Sequence, residues 1–244
     1  MRNIRGKITD LAHELCEDLE KHIEGATLDI TESGCVKKYI TRITSEKGAK
    51  QLGRPQGTYS SVEVKKLGAD NQAQVTKALG EILASYIKDV KKILVVGLGN
   101  NSFIADSLGP KVCDGLIAGQ NLCTFAPNVI GATGIPSTEA VRAIVGVAKP
   151  SHVIVVDSLC CHERERLGNN FQVSDTGITP GSGVARNNKT LNEEFLGVPV
   201  IALGVPLVIY LPTLHYVVPK AIDMLVLSCV DVIVGAIRHT ERRK

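Results

Sequence analysis

The 244-residue chain has no excess of either charge: 28 basic and 25 acidic side chains leave a net charge of +3. That balance provides no broad field for gathering nucleic acid or an acidic membrane surface. A small basic cluster, Arg238, Arg242, Arg243 and Lys244, closes the chain and reads as a solvated tail. Long apolar runs are also missing. The opening MRNIRGKITDLAHELCEDLEKH is broken by charge too often for a signal peptide. The run AIDMLVLSCVDVIVGAI (221–237) carries Asp223 and Asp231, which makes it a buried helix rather than a membrane span. The seven cysteines, at 16, 35, 113, 123, 160, 161 and 229, lack the two-residue gap of a redox or zinc motif. They are expected to be reduced, intracellular thiols. What is present is 44% hydrophobic residues, enough to bury the core of one large domain.

The apolar pattern divides the chain. Leu11, Leu15, Leu19 and Ile23 recur every four residues and predict an amphipathic helix over 9–24, capped by Thr9 or Asp10 and exposed on one face. β-Branched residues gather in 35–44 and 58–67 around the turn-rich GAKQLGRPQG. This predicts a small antiparallel β element over 35–67, packed on the main domain. A helix is expected over 71–89, with Val75, Leu79, Ile82, Leu83 and Ile87 on one face. Beyond it, apolar strands at 92–97, 152–158 and 198–204 alternate with helical stretches from Gly109 and over 138–148. The expected fold class is α/β, a mostly parallel central sheet with helices on both faces, phosphorylase/hydrolase-like, in a single domain 1–244. The stretch 168–197, dense in Gly, Ser, Thr and Asn, is expected to be a long functional loop.

The loop GLGNNSFIADSLGPK (97–111) follows the first of those strands. Its sixth position is Ser102 where a dinucleotide fingerprint needs glycine, and no Walker Lys-Ser/Thr follows. What remains is two permissive glycines, Gly97 and Gly99, the amides of Asn100 and Asn101, and a carboxylate, Asp106, shortly before a helix start at Gly109-Pro110. A second acid, Asp157, directly follows the apolar run 153–156. Neighbouring parallel strands deliver their loops to one rim, so Asp106 and Asp157 are candidates for a carboxylate pair. Taken singly, each has a plainer role: Asp106 as a helix cap, Asp157 as a turn residue bonded to backbone.

VVGLGN, ADSLGPK, APNVIGATGIPSTE, HVIVVDSL, FQVSDTGITPGSGV, LNEEFLGVPVIALGVP and YVVPKAIDMLV occur in this order, after ITDLAHE and EKGAKQLGRPQGTYSSVEV. Together they resemble the germination protease family, endopeptidases with which spore-forming bacteria degrade small acid-soluble spore proteins. The resemblance implies a fold shared with hydrogenase-maturation endopeptidases, a homotetramer in the cytoplasm of the forespore or spore core, and a zymogen that removes its own N-terminal segment. It also implies an atypical acid protease whose two aspartates fall on Asp106 and Asp157. The family cuts after glutamate in short acidic, Ala-containing motifs, and TDLAHE ends at Glu14. The Glu14-Leu15 bond is thus the expected self-cleavage point and 1–14 the expected pro-segment. The resemblance implies no cofactor or metal, and neither nucleic acid nor membrane as a partner. The chain departs from the family in being shorter before APNVIG and after GVP. It also reads Leu207-Val208-Ile209-Tyr210-Leu211 where the family carries an acid.

Two carboxylates within reach of each other share a proton and titrate as a pair, so one can activate water while the other polarises the carbonyl or protonates the leaving nitrogen. Gly99, Asn100, Gly181 and Gly183 are candidates for oxyanion or substrate support. Rival readings are a metal-dependent maturation-type endopeptidase, with His162 or His215 joining the two acids, and a non-catalytic spore-protein-binding relative. No His-x-x-x-His spacing supports the metal, and His162 in the charged run HERER suits a solvated surface. Peptidyl-tRNA hydrolase shares VGLGN, but is expected to carry a catalytic histidine near its start and a basic RNA face.

Overall fold

A computed structural model describes residues 3–4, 7–17, 23–181, 189–211 and 215–241. In chain order the first elements are β1 (Asn3–Ile4), β2 (Lys7–Ile8), α1 (Ala12–Glu17), β3 (Ala26–Ser33), β4 (Val36–Ile43), α2 (Glu46–Leu52), β5 (Gly57–Val64) and α3 (Gln72–Tyr86). The chain continues through β6 (Ile93–Gly97), α4 (Leu108–Gly115), β7 (Leu122–Phe125), α5 (Ile130–Thr133), α6 (Ser137–Ala148) and β8 (His152–Cys161). It closes with β9 (Asn170–Ser174), α7 (Glu193–Leu196), β10 (Val200–Leu211), β11 (His215–Val217) and α8 (Ile222–Glu241).

The apolar runs become the middle of a nine-stranded sheet of order β3-β4-β5-β9-β10-β8-β6-β7, with β11 paired to β10. β7, β6, β8 and β10 run parallel, and every other pairing in this sheet is antiparallel. The expected mostly parallel sheet is therefore corrected to a mixed one. The reason lies in β9, which pairs antiparallel with both β10 and β5 and so fuses the N-terminal strands to the parallel half. For the same reason 35–67 is not a small element set against the domain: β4 and β5 continue the main sheet, joined at their far side by β3.

Both faces of the parallel half are covered. Successive side chains of β8 point to opposite faces. Val153 and Val155 pack with Leu94 and Val96 beneath Val141 and Val145 of α6. Ile154 and Val156 pack with Ile93 and Val95 beneath α3, α4 and α8. In α8, Val226, Cys229, Ile233 and Ile237 are buried while Asp223 and Asp231 lie on its exposed side, so the two acids interrupt the apolar run without entering the core. Among the described residues no helix is long and apolar enough to cross a membrane. All seven cysteines are free thiols.

Among the described residues the N-terminal helix starts at Ala12 and sits deeper than its periodicity suggests, while Leu19 lies outside them. Leu11, Ala12, His13, Glu14 and Leu15 are all buried, and the Thr9 hydroxyl accepts the Leu11 N–H at 3.0 Å. The Glu14 carboxylate accepts the N–H groups of His162 and Glu163 at 2.9 and 3.0 Å, and lies 3.2 Å from Arg166 Nη1. Arg166 also holds Glu63 through its Nε at 2.9 Å. Burial alone would raise the Glu63 carboxyl, but His13, Arg166 and Asn170 together hold it down at about 2. Glu14 thus ties α1 to the loop after β8. Glu14→Gln keeps the shape but removes the charge, and is expected to lower unfolding stability by about 1–2 kcal/mol in urea denaturation. An unchanged midpoint would show that this anchor contributes nothing.

Candidate active site

β6 ends at Gly97, and the next residue, Leu98, donates its N–H to Val156 of β8 at 2.8 Å. The chain then turns back on itself. Gly97 packs so closely on the start of α4 that a Cβ there would sit 2.1 Å from Gly109 O. Gly99 has a φ of +117°, and its Cβ would sit 1.9 Å from Asp106 O. This tight return lets the Asn100 N–H donate to both Asp106 O and Asp106 Oδ2, at 3.0 and 2.9 Å. A single 3₁₀ turn, Ile104–Asp106, then leads into α4, with Pro110 in the first turn. The glycines serve a carboxylate and a close helix–strand contact.

Asp157 stands within β8 rather than at its end, opposite Gly204 of β10. Because β6 has already finished beside Val156, Asp157 is the next position along β8, level with the loop that carries Asp106. Its Oδ1 accepts the N–H of Ser158 at 2.8 Å. Burial, together with the neighbouring Asp106 charge and a smaller contribution from Asp10, pushes its carboxyl up to about 8. Asp106 is raised too, by burial, but the Asn100 N–H works in the other direction. Both acids line one cavity of about 580 Å³, walled by Leu98, Phe103, Val129, Ile130 and Ile178 and by polar groups from β9 and the segment after it. The arrangement is of two neighbouring carboxyls, both with raised proton affinity, that can share a proton between an acid and a base.

The other sequence candidates divide. Gly99 and Gly181 line the cavity. The Asn100 N–H donates to Asp106 and so positions that acid. Gly183 lies outside the described residues. Glu14 and Leu15 are buried in α1 and do not line the cavity. The His162 backbone holds Glu14, while His215 opens β11 and its side chain is outside the described residues. Among the described residues no three His, Cys, Asp or Glu side chains converge as a metal site. Sequence reasoning missed three cavity groups, Asp10, Arg54 and Gln172, which only the fold brings together.

The family model for germination protease matches residues 6–228. The chain belongs to the germination protease family. Germination protease of Caldanaerobacter subterraneus subsp. tengcongensis is 37% identical over 228 residues, covering 84% of this chain and 70% of the relative. That of Bacillus velezensis is 35% identical over 231 residues, covering 82% of this chain and 62% of the relative, so the chain is clearly shorter than these germination proteases. Among solved structures, a NiFe hydrogenase maturation protease from Thermococcus kodakarensis KOD1 aligns with a TM-score of 0.45 at 16% identity, over 64% of this chain and 99% of that one.

Proposed function

We propose that the chain is an endopeptidase of spore germination that hydrolyses small acid-soluble spore proteins with Asp106 and Asp157. The observation that carries the reading is the pairing of these acids in one cavity, with Asp157 held up at about 8 while an N–H group supports Asp106. In this reading Asp157, whose carboxyl is held up at about 8, carries the shared proton and Asp106 acts as the base. Asp106 takes a proton from water as the water oxygen attacks the peptide carbonyl carbon. Asp157 donates its proton to the carbonyl oxygen to give a tetrahedral diol; as the C–N bond breaks, the proton held by Asp106 passes to the leaving nitrogen and a hydroxyl proton of the diol returns to Asp157 as the carbonyl re-forms. Family membership supports peptide-bond hydrolysis as the reaction, and the homotetrameric assembly is part of the same proposal.

Self-processing at Glu14-Leu15 belongs to this proposal as well. That bond lies inside α1 with both flanking side chains buried, so cutting it requires α1 to leave its seat first. The reading is tested by incubating the full chain with a small acid-soluble spore protein and mapping products by mass spectrometry, with and without a chelator. Cuts after glutamate that resist chelation are expected. Intact substrate would favour a binding relative, and chelator-sensitive cleavage a metal-dependent one.

A further inference from the structure

The outer face of α8 carries an ordered stripe. From Lys220, just ahead of the helix, steps of four, three and four residues lead to Met224, Leu227 and Asp231, and all four residues are exposed. Positions so spaced lie along one side of a helix. The stripe cannot turn inward, because Val226, Cys229 and Ile233 already bury the opposite side. Met224 is 64% exposed and Leu227 50%. The 3₁₀ turn Ile104–Asp106 rests against the same helix, and its Ile104 is 45% exposed. Single exposed apolar residues are ordinary, whereas a group of them flanked by charge marks a contact surface.

The order of the stripe names the occupant. A cation stands at one end and an anion at the other, with two apolar side chains between them. Turned end over end about a two-fold axis between Met224 and Leu227, this stripe is complementary to itself. Met224 then faces the partner's Leu227, Lys220 faces the partner's Asp231, and each pair is made twice. Asp223 falls opposite the partner's Ser228, so no like charges meet. Parallel packing would instead set lysine on lysine and aspartate on aspartate, which charge repulsion disfavours. An unrelated partner requires no such palindrome, but a second copy of this chain does.

We propose that the N-terminal part of α8, together with Ile104, is the contact face of a two-fold dimer of this chain, closed at both ends by Lys220 and the partner's Asp231. Contacts of this symmetry are the units from which even-numbered assemblies are built. The face backs directly onto the candidate active site. Ile104 and Asp106 are the two ends of one 3₁₀ turn, closed by the Asp106 N–H on Phe103 O at 2.8 Å and the Ser107 N–H on Ile104 O at 3.1 Å. Covering Ile104 steadies this turn and so links assembly to the placement of Asp106. That link alone rests on the proposed peptidase reading; the contact itself needs no bond to be cut.

The test is sedimentation equilibrium of the full chain. Lys220→Asp or Asp231→Lys alone sets like charges against each other at both ends of the stripe, and each is expected to weaken association at least about tenfold. The double variant reverses both members of every pair and is expected to associate as the parent does. A parent that stays monomeric, single variants that associate like the parent, or a double variant no tighter than the singles overturns the proposal. Hydrogen exchange in the unsubstituted chain gives a readout that no substitution can disturb. Exchange at the Asp106 and Ser107 amides is expected to slow as the chain is concentrated through its association range, and exchange that ignores association overturns the place of Ile104 in the contact. A chain that associates by these rules yet cleaves nothing defeats the proposed function and leaves the interface standing.

Discussion

Asp157→Asn is expected to lower peptide-bond turnover by at least about a hundredfold while making the folded protein more stable at pH 8. The two effects have one origin. Asn is nearly isosteric with a protonated Asp and can occupy the site opposite Gly204, but it has no proton to give to the carbonyl oxygen. The stability gain follows from the raised proton affinity. A carboxyl lifted from 3.8 to about 8 on folding contributes stability that is complete below pH 4 and is lost as pH climbs toward 8. Asn does not titrate, so the variant's melting temperature varies less than the parent's between pH 4 and 8 and exceeds it at the upper end. The parent's activity should fall as pH rises through about 8, where the donor proton is lost. Asp106→Asn is expected to cut turnover comparably by removing the base. Near-normal turnover in either variant removes that residue from the chemistry.

The parallel half was legible because burial on both faces leaves nearly continuous apolar runs, such as HVIVV before Asp157. Asp106 and Asp157 were legible as a pair for the same reason, since neighbouring parallel strands deliver their loops to one rim. β9 was hidden within a presumed loop because Asn170, Gln172 and Ser174 are polar yet buried. Asn170 donates to Glu63 and Gln172 grips the N-terminal segment, so satisfied hydrogen bonds replace the usual apolar signal. Missing β9 meant missing the strand that joins the N-terminal meander to the main sheet. β3 carries a readable alternation, Ala26, Leu28 and Ile30, but it is an edge strand whose positions are half-buried at most. Asp10 and Arg54 were beyond sequence reasoning. Asp10 meets its partners across 150 positions at Cys160 and 44 at Arg54, and no local pattern records such a meeting.

Gly99→Ala probes how Asp106 is held. At a φ of +117° an L side chain is strained whatever the space around it, and here its Cβ would meet the backbone oxygen of Asp106 at 1.9 Å. A backbone atom cannot swing aside as a long side chain does, so the return of the loop has to open. Opening it separates the Asn100 N–H from both oxygens it holds on Asp106. The expected cost is about 2–4 kcal/mol of unfolding stability, typical of strain plus a backbone clash. Turnover is expected to drop at least about tenfold, because the base is displaced from its partner. Gly146→Ala is the matched control: it lies on the exposed face of α6 with nothing within 4 Å of a new Cβ. There the same substitution should add about 0.5–1 kcal/mol through helix propensity and leave turnover alone. If Gly99→Ala kept full turnover while losing stability, the loop's tight return would serve the α4 contact, and Asp106 would owe its position to the 3₁₀ turn.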